Sequence, residues 1–323
     1  MLGLCFATDR RSRMPKIIFF CPPAQTINGG VKYIFRMAET LRADGHEAIV
    51  FEQNAERPKW FPSTAPVVGQ GAFAPNADEV YVLPEDQVQM LESFKDWPQR
   101  KVIYSQNHFY SAYRLEGVKS YSDYGIRHII CGSRTIYEHA RFRHPKVEAH
   151  IVPCSVDPAL FKPAAKKQKT IAFMPKKRMI EVSYIRDMFC FTYPQHRDWQ
   201  WRELHKLGED EVARAMGEAD VFLALSRLEG FGLTPLEAMS AGCVVAGFTG
   251  IGGREYATTE NGFWVGEDDF PACIAALKSA VELAEEAGAA CTKYAEACQK
   301  TFAAYTPDVF RRAVKDVWAK ILA

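Results

Sequence analysis

The sequence predicts an α/β protein with two Rossmann-like domains, each built on a parallel sheet. Short apolar segments alternate with longer amphipathic segments through both halves of the chain, which is typical of parallel strands joined by helices. Residues 153–169 interrupt this alternation with three prolines and a basic run, as expected of a linker between domains. A chain of 323 residues is long enough for two hydrophobic cores with a cleft between them.

The first domain is predicted to cover residues 14–160. A helix is expected at residues 30–44, and residues 54–77, rich in proline and glycine, are expected to form a long loop. Residues 1–13 are expected to be a disordered extension, with Met14 as a candidate natural start. The strands of this domain are predicted at residues 16–20, 47–52, 79–83, 101–105, 127–131 and 148–152.

The second domain is predicted to cover residues 161–305 and is followed by a helix at residues 306–323. Its strands are expected at residues 170–174, 199–204, 221–226, 244–248 and 262–266. Thr306 is the predicted N-cap of the last helix. Because that helix carries one apolar face, it is predicted to pack back on the N-terminal domain; the face consists of Val309, Phe310, Val314, Val317, Trp318 and Ile321.

Composition excludes several classes of protein. Lys and Arg number 40 against 39 Asp and Glu, so the charge balance does not favour a nucleic-acid partner. Nine cysteines without C-x-x-C pairs or zinc-finger spacing predict reduced core thiols in a cytoplasmic protein. No apolar stretch approaches the length of a membrane span. A peripheral contact with the inner face of a membrane, through residues 141–146, is left open beside the alternative of a solvated helix end.

The most informative segment is EGFGLTPLEAMSAG, residues 229–242. It follows a predicted buried strand, and Thr234 and Pro235 suit the N-cap and first turn of a helix that stops at Gly242. Gly230 and Gly232 leave the loop before the helix without side chains, so a phosphate could approach the backbone N–H groups at the helix start. The segment therefore predicts a phosphate-binding loop.

This segment resembles the E-x(7)-E signature of retaining, nucleotide-sugar-dependent glycosyltransferases of the GT-B fold, the group 1 or family four type. Glu229 and Glu237 are the two glutamates, and the similarity extends through SRLEGFGLTPLEAMSAGCVVAGFTGIGGREY to NGFWVGEDD. The resemblance implies two Rossmann-like domains with parallel sheets facing a central cleft. It also implies a nucleotide-sugar donor held mainly by the C-terminal domain, and no further cofactor.

By this resemblance, Glu237 accepts hydrogen bonds from the ribose hydroxyls and Glu229 lies near the hydroxyls of the transferred sugar. An ionised carboxylate suits a vicinal diol, because its two oxygens match two donors. Two simpler readings stay open: Glu237 could complete a capping box with Thr234, and Glu229 could be a solvated loop charge.

Further donor-binding residues are expected in the loops after the strands. The leaving diphosphate calls for cations, and the basic turn after residue 174 offers three, each of which could instead be a solvated charge. The predicted donor-binding residues besides Glu237 are Gly29, Gly30, Gly230, Phe231, Gly232, Leu233, Thr234, Lys176, Lys177, Arg178, Gly252 and Gly253.

His108 is the second catalytic candidate beside Glu229. It follows a strand end in the first domain, where it could polarise a hydroxyl, although taken by itself it is better interpreted as a satisfied histidine beside Phe109 and Tyr110. No metal is predicted, because the histidines lack H-E-x-x-H spacing and residues 266–269 lack a D-x-D pattern.

The sequence thus predicts a retaining, metal-independent glycosyltransferase acting on a hydroxyl of a glycan, a lipid-linked acceptor or a small molecule. A nucleotide-sugar epimerase, a phosphorylase on the same fold and a non-catalytic nucleotide-sugar or glycan-binding protein remain alternatives.

Overall fold

The computed structural model describes residues 14–115, 119–175, 177–286 and 288–323. The strands of the N-terminal domain are β1 Ile17–Phe20, β2 Ala48–Phe51, β3 Val67–Val68, β4 Val80–Pro84, β5 Arg100–Ser105, β6 His128–Cys131 and β7 Glu148–Ile151. Its helices are α1 Gly29–Ala43, α2 Val88–Phe94, α3 His108–Arg114 and α4 Arg134–Arg143.

The C-terminal domain follows with a second set of strands and helices. Its strands are β8 Gln168–Phe173, β9 Gln200–Glu203, β10 Ala219–Glu229, β11 Val244–Ile251 and β12 Phe263–Val265. Its helices are α5 Met179–Thr192, α6 Glu209–Glu218, α7 Leu233–Ser240, α8 Phe270–Glu285 and α9 Ala289–Phe302, and the last helix of the chain is α10 Pro307–Leu322.

Both sheets are parallel throughout, as the alternating pattern predicts. The N-terminal sheet has the order β3-β2-β1-β4-β5-β6-β7, and the C-terminal sheet has the order β12-β11-β10-β8-β9. The central strands are short apolar runs, because helices cover both faces of each sheet. The carboxyl ends of parallel strands share one edge, so the loops that follow them gather at one side of each domain.

Two local differences from the prediction concern strand lengths. Residues 54–77 are not a plain loop, since Val67 and Val68 pair with Val50 and Phe51 to extend the first sheet. Strand β10 runs to Glu229 rather than stopping at Ser226, with an irregular register against β11 over its last residues. The extension matters because it carries Glu229 to the cleft.

Helix α10 lies on the N-terminal domain. The Thr306 side chain accepts a hydrogen bond from the backbone N–H of Val309, which caps the helix start. Trp318 is fully buried against Phe19, with 5.9 Å between ring centroids. The chain therefore crosses back from the second domain to the first, where α10 packs into the core of the N-terminal domain. Within the described residues, no helix is both long enough and apolar enough to cross a membrane.

Candidate functional site

Strand β10 delivers Glu229 to the cleft through a break in its regular pairing. The register against β11 shifts between Ser226 and Glu229, and Leu228 there adopts a left-handed backbone with φ of 49°. That conformation is costly for a leucine and is typical of functional loops. As a result, the Glu229 side chain is 32% exposed at the carboxyl end of β10 rather than buried within the sheet.

Gly230 lies where the two domains touch. A Cβ on this residue would stand 2.3 Å from the carbonyl oxygen of Gln106, in the other domain. Ser133, also in the N-terminal domain, donates its Oγ hydrogen to the Gly230 carbonyl at 2.6 Å. Gly252 packs on the same turn, because its Cβ would lie 2.5 Å from the Gly230 carbonyl carbon. Only glycine fits at Gly230 while the domains keep this contact.

The helix after the loop begins earlier than the sequence predicts. Helix α7 starts at Leu233 with Gly232 as its N-cap, so the prediction of Thr234 as N-cap is wrong. The physical reason is the left-handed backbone of Gly232, φ 84°, which turns the chain into the helix two residues sooner. Pro235 still lies in the first turn, where its missing N–H costs nothing. Gly242 ends the helix with φ of 75°, as predicted.

The earlier helix start also changes the interpretation of Glu237. This residue lies more than one turn into α7, too far from Gly232 to complete a capping box. Its side chain instead bonds to Lys32 of the N-terminal domain, whose Nζ donates to Glu237 Oε1 at 3.1 Å. The capping-box alternative is therefore wrong, and Glu237 is a buried carboxylate between the domains, 5% exposed.

Lys32 joins two carboxylates of the C-terminal domain. Its Nζ also donates to Glu209 Oε1 at 3.0 Å, and Arg36 Nη2 approaches the other Glu209 oxygen at 3.4 Å. Burial alone would lower the pKa of Lys32, but Glu237, the neighbouring Tyr33 phenol and Glu209 outweigh it and raise that pKa above its ordinary value. Lys32 is thus a permanent cation, and sequence reasoning missed it although it lies only two residues after Gly30.

The glycine pair at the start of α1 has two different environments. A Cβ on Gly30 would stand 2.7 Å from Gln106 Oε1, and the Gln106 amide donates to the Gly30 carbonyl at 3.1 Å. Apart from its chain neighbours and the backbone of its own helix, no described atom lies within 4 Å of the position that a Cβ would take on Gly29. Gly30 is therefore constrained by packing, whereas Gly29 borders open space in which a ligand could lie.

The loop after β5 connects the start of α1 to the second domain. Asn107 caps α3 by accepting from the Phe109 N–H, and its Nδ2 donates to the Leu228 carbonyl at 3.0 Å across the cleft. His108, the first residue of α3, is half-buried. Burial, with a smaller effect of His139, lowers the pKa of His108 to about 4. The imidazole is therefore neutral at pH 7, and its Nδ1 has no hydrogen-bond partner among the described residues.

Glu85 binds the backbone of the same loop, and the sequence analysis did not predict this role. Its Oε1 accepts hydrogen bonds from the backbone N–H of Gln106 at 3.1 Å and of Asn107 at 2.7 Å. Burial raises the pKa of Glu85 to about 8, although the backbone N–H groups oppose that shift. No local motif marks Glu85, because it acts through backbone groups about twenty residues along the chain.

The three predicted phosphate cations differ in their surroundings. Lys177 Nζ lies 2.9 Å from Glu229 Oε1 at the cleft and is partly exposed. Arg178 is fully buried: Nη1 bonds to Asp268 at 2.6 Å, Nη2 to Glu267 at 2.8 Å, and the guanidinium stacks over Phe248 at 4.1 Å. A phosphate could use Arg178 only by displacing these partners. Lys176 lies outside the described residues.

The turn at residues 252–255 completes the C-terminal side of the cleft. A Cβ on Gly253 would lie 3.2 Å from the Tyr256 hydroxyl, which donates to the Gly232 carbonyl. Glu255 Oε2 accepts from the backbone N–H of Arg134, the first residue of α4, at 2.7 Å. This turn thus holds the α7 start from one side and the N-terminal domain from the other.

Comparison with known proteins gives matches in both sequence and structure. The model of the family "Glycosyl transferases group 1" matches residues 202–297, within the C-terminal domain. An alpha-1,6-glucosyltransferase of Actinobacillus pleuropneumoniae serotype 7 is 28% identical over 266 residues, which are 78% of this chain and 79% of that protein.

Two solved structures resemble the whole chain. Sucrose-phosphate synthase from Thermosynechococcus elongatus superposes with a TM-score of 0.68 at 13% identity, over 95% of this chain and 99% of that one. HepE of Anabaena, solved in complex with UDP and glucose, gives a TM-score of 0.63 at 12% identity, over 94% of this chain and all of that one. At such identities the similarity shows a shared fold, and the predicted GT-B architecture is confirmed.

Proposed function

We propose that this chain is a retaining glycosyltransferase of group 1 that uses a nucleotide diphosphate sugar. The match of residues 202–297 to that family model and the GT-B architecture support the proposal. The observation that carries the proposal is the position of Glu237, a buried carboxylate at the cleft. Through its contact with Lys32, it faces the first turn of α1, which begins with the Gly29–Gly30 pair. A ribose diol is the ligand that such a carboxylate would bind best in this place.

In this proposal the donor lies along the carboxyl ends of the C-terminal strands. Glu237 binds the ribose, and the diphosphate lies between the start of α7 and the open side of Gly29. Glu229 accepts from the hydroxyls of the transferred sugar, and Lys177 beside it supplies positive charge toward the leaving diphosphate.

The transfer step follows a front-face course. The acceptor hydroxyl oxygen bonds to the anomeric carbon on the face from which the diphosphate leaves, the bond between that carbon and the phosphate oxygen breaks, and the acceptor proton passes to the departing phosphate. Neutral His108 accepts a hydrogen bond from a hydroxyl in the N-terminal half of the cleft and so orients it. No metal is required in this scheme, because Lys177 and helix N–H groups carry the stabilising charge.

We propose a UDP-sugar, with UDP-glucose first, as the donor. The structural neighbour HepE was solved with UDP and glucose, and the Actinobacillus relative is named for glucosyl transfer. That name also specifies an alpha linkage, and transfer from an α-linked nucleotide sugar to an α-linked product is retention. The acceptor is a hydroxyl of a glycan, of a lipid-linked saccharide or of a small molecule.

The test is product stereochemistry. The purified chain is incubated with UDP-, GDP- and ADP-glucose, without metal and with a chelator, and the anomeric proton of the product is read by NMR. We expect an α-linked product, or α-glucose released by slow donor hydrolysis. A β-linked product would overturn retention, and a covalent glycosyl-enzyme seen by intact mass would overturn the front-face course. Donor binding with neither transfer nor hydrolysis would favour a non-catalytic binding protein.

A further inference from the structure

A second cluster of chemistry-bearing side chains lies at the opposite end of the N-terminal sheet from the cleft. His128 is the first residue of β6, and Glu148 is the first residue of the edge strand β7. We propose that His128, Glu148 and His150 form a binding site for a divalent transition-metal ion of the Zn²⁺ type, independent of the glycosyltransferase site.

The strand register brings the three side chains together. His128 pairs directly with Glu148, and Ile130 pairs with His150, so His150 is the diagonal neighbour of His128. Side chains two residues apart in a strand point to the same face of the sheet. Glu148 and His150 therefore stand on one face with His128, and the backbone of two paired strands fixes their spacing.

The distances are those of atoms that share one ion. His128 Nδ1 lies 3.1 Å from His150 Nε2, and Glu148 oxygens lie 3.6 Å from the first nitrogen and 3.8 Å from the second. Two ligands at the usual Zn–N and Zn–O lengths in a tetrahedral arrangement stand roughly 3.4 Å apart. One atom from each residue lies within 4.8 Å of the others, so only small side-chain adjustments are needed to close around an ion.

The burial of the ligands favours their role. The side chains of His150 and His128 are 5% and 16% exposed, while that of Glu148 is 61% exposed. The two imidazoles are thus held by their packing, and Glu148 forms the solvent side through which an ion and its remaining water ligands enter. Two nitrogens and one carboxylate oxygen are a ligand set that suits zinc and its neighbours rather than magnesium or calcium.

The surrounding charges determine the expected affinity of the site for a divalent ion. Arg100 and Arg127 interact with His128, and Lys320 of α10 interacts with His150. These cations oppose an incoming divalent ion, so the affinity is expected to be lower than that of a closed structural zinc site. They also disfavour hard cations most, because those gain little from imidazole.

The test is titration of the full chain with Co²⁺ and Zn²⁺. Co²⁺ binding is followed by its near-ultraviolet and visible spectrum, in which thiolate ligands would add a sulfur charge-transfer band that histidine and carboxylate ligands do not give. Zn²⁺ binding is followed by calorimetry. We expect one saturable ion per chain, and at least about tenfold weaker binding in His128→Ala and in Glu148→Gln, since even outer-shell partners of a metal contribute about that much. His205→Ala removes an exposed histidine and is the matched control.

Glu148→Gln tests a metal ligand without disturbing the fold, because Glu148 is exposed and its substitution leaves the packing intact. Equal affinity in wild type and both variants, or a thiolate spectrum, would overturn the site. Absence of saturable binding in the wild type would do the same, and would leave a simple N–H···N hydrogen bond between the two imidazoles.

Discussion

Removal of the Lys32 ammonium tests the buried charge cluster between the domains. In Lys32→Met, Glu209 and Glu237 would face each other without their shared cation. Lys32 is only 8% exposed, so solvent does not replace it. Breaking a buried ion pair by removing one partner costs about 3–5 kcal/mol, because an uncompensated charge stays buried. With an unfolding entropy of about 2.1 cal/mol/K per residue, each kcal/mol shifts the melting midpoint of a chain of 323 residues by roughly 1.5 °C, so the midpoint should fall by roughly 4–7 °C.

The assay is thermal melting of the ligand-free protein at pH 7.5, with Lys169→Met as the matched control. Lys169 also pairs with two carboxylates, but its side chain is 57% exposed. Its replacement should leave the midpoint close to that of the wild type. Combining Lys32→Met with Glu237→Gln should recover part of the loss, because one of the two stranded charges is removed. The reasoning is refuted if Lys32→Met melts together with Lys169→Met.

Three further predictions concern the two glycines at the cleft and the buried carboxyl of Glu85. Gly230→Ala should destabilise the closed arrangement by about 1–3 kcal/mol through overpacking against Gln106, with a larger radius of gyration in X-ray scattering. An unchanged radius of gyration in Gly230→Ala would contradict the packing argument. Gly29→Ala should leave the radius of gyration and the melting midpoint unchanged but weaken binding of a nucleotide diphosphate. Glu85 keeps its proton in the folded state up to about pH 8 while the unfolded chain ionises near pH 4.5, so it should reduce folding stability progressively as pH rises through that window. Glu85→Gln should therefore gain stability over wild type at pH 9 relative to pH 5, measured by melting at both pH values, and a constant difference would argue against the raised pKa.

The architecture could be predicted from the sequence because short apolar strands alternate regularly with longer amphipathic helices. The parallel sheets and the bounds of α1 and α10 followed from local patterns. The start of α7 was misplaced because Thr234 is a good N-cap by residue type, whereas the left-handed Gly232 made an earlier start possible. Propensity alone cannot choose between two capping positions that lie two residues apart.

The residues that the sequence missed act across long separations. Lys32 meets Glu209 and Glu237 from 177 and 205 residues away, and no spacing rule connects them. Glu85 is recognisable only through the backbone groups that it holds. The basic run that contains Arg178 was recognised in the sequence. The burial of the Arg178 side chain against Glu267 and Asp268 was not, because it depends on how β12 lies beside β11.

The central claim is that Glu237 binds the nucleotide and Glu229 the transferred sugar. Calorimetric titration of wild type, Glu237→Gln and Glu229→Gln with UDP and with UDP-glucose tests it most directly. Loss of a charge-assisted hydrogen bond of about 1.5–3 kcal/mol should weaken binding of both ligands by roughly tenfold or more in Glu237→Gln. Glu229→Gln should weaken binding of UDP-glucose and leave that of UDP unchanged. If Glu237→Gln binds UDP as tightly as wild type, the assignment of the donor site is contradicted.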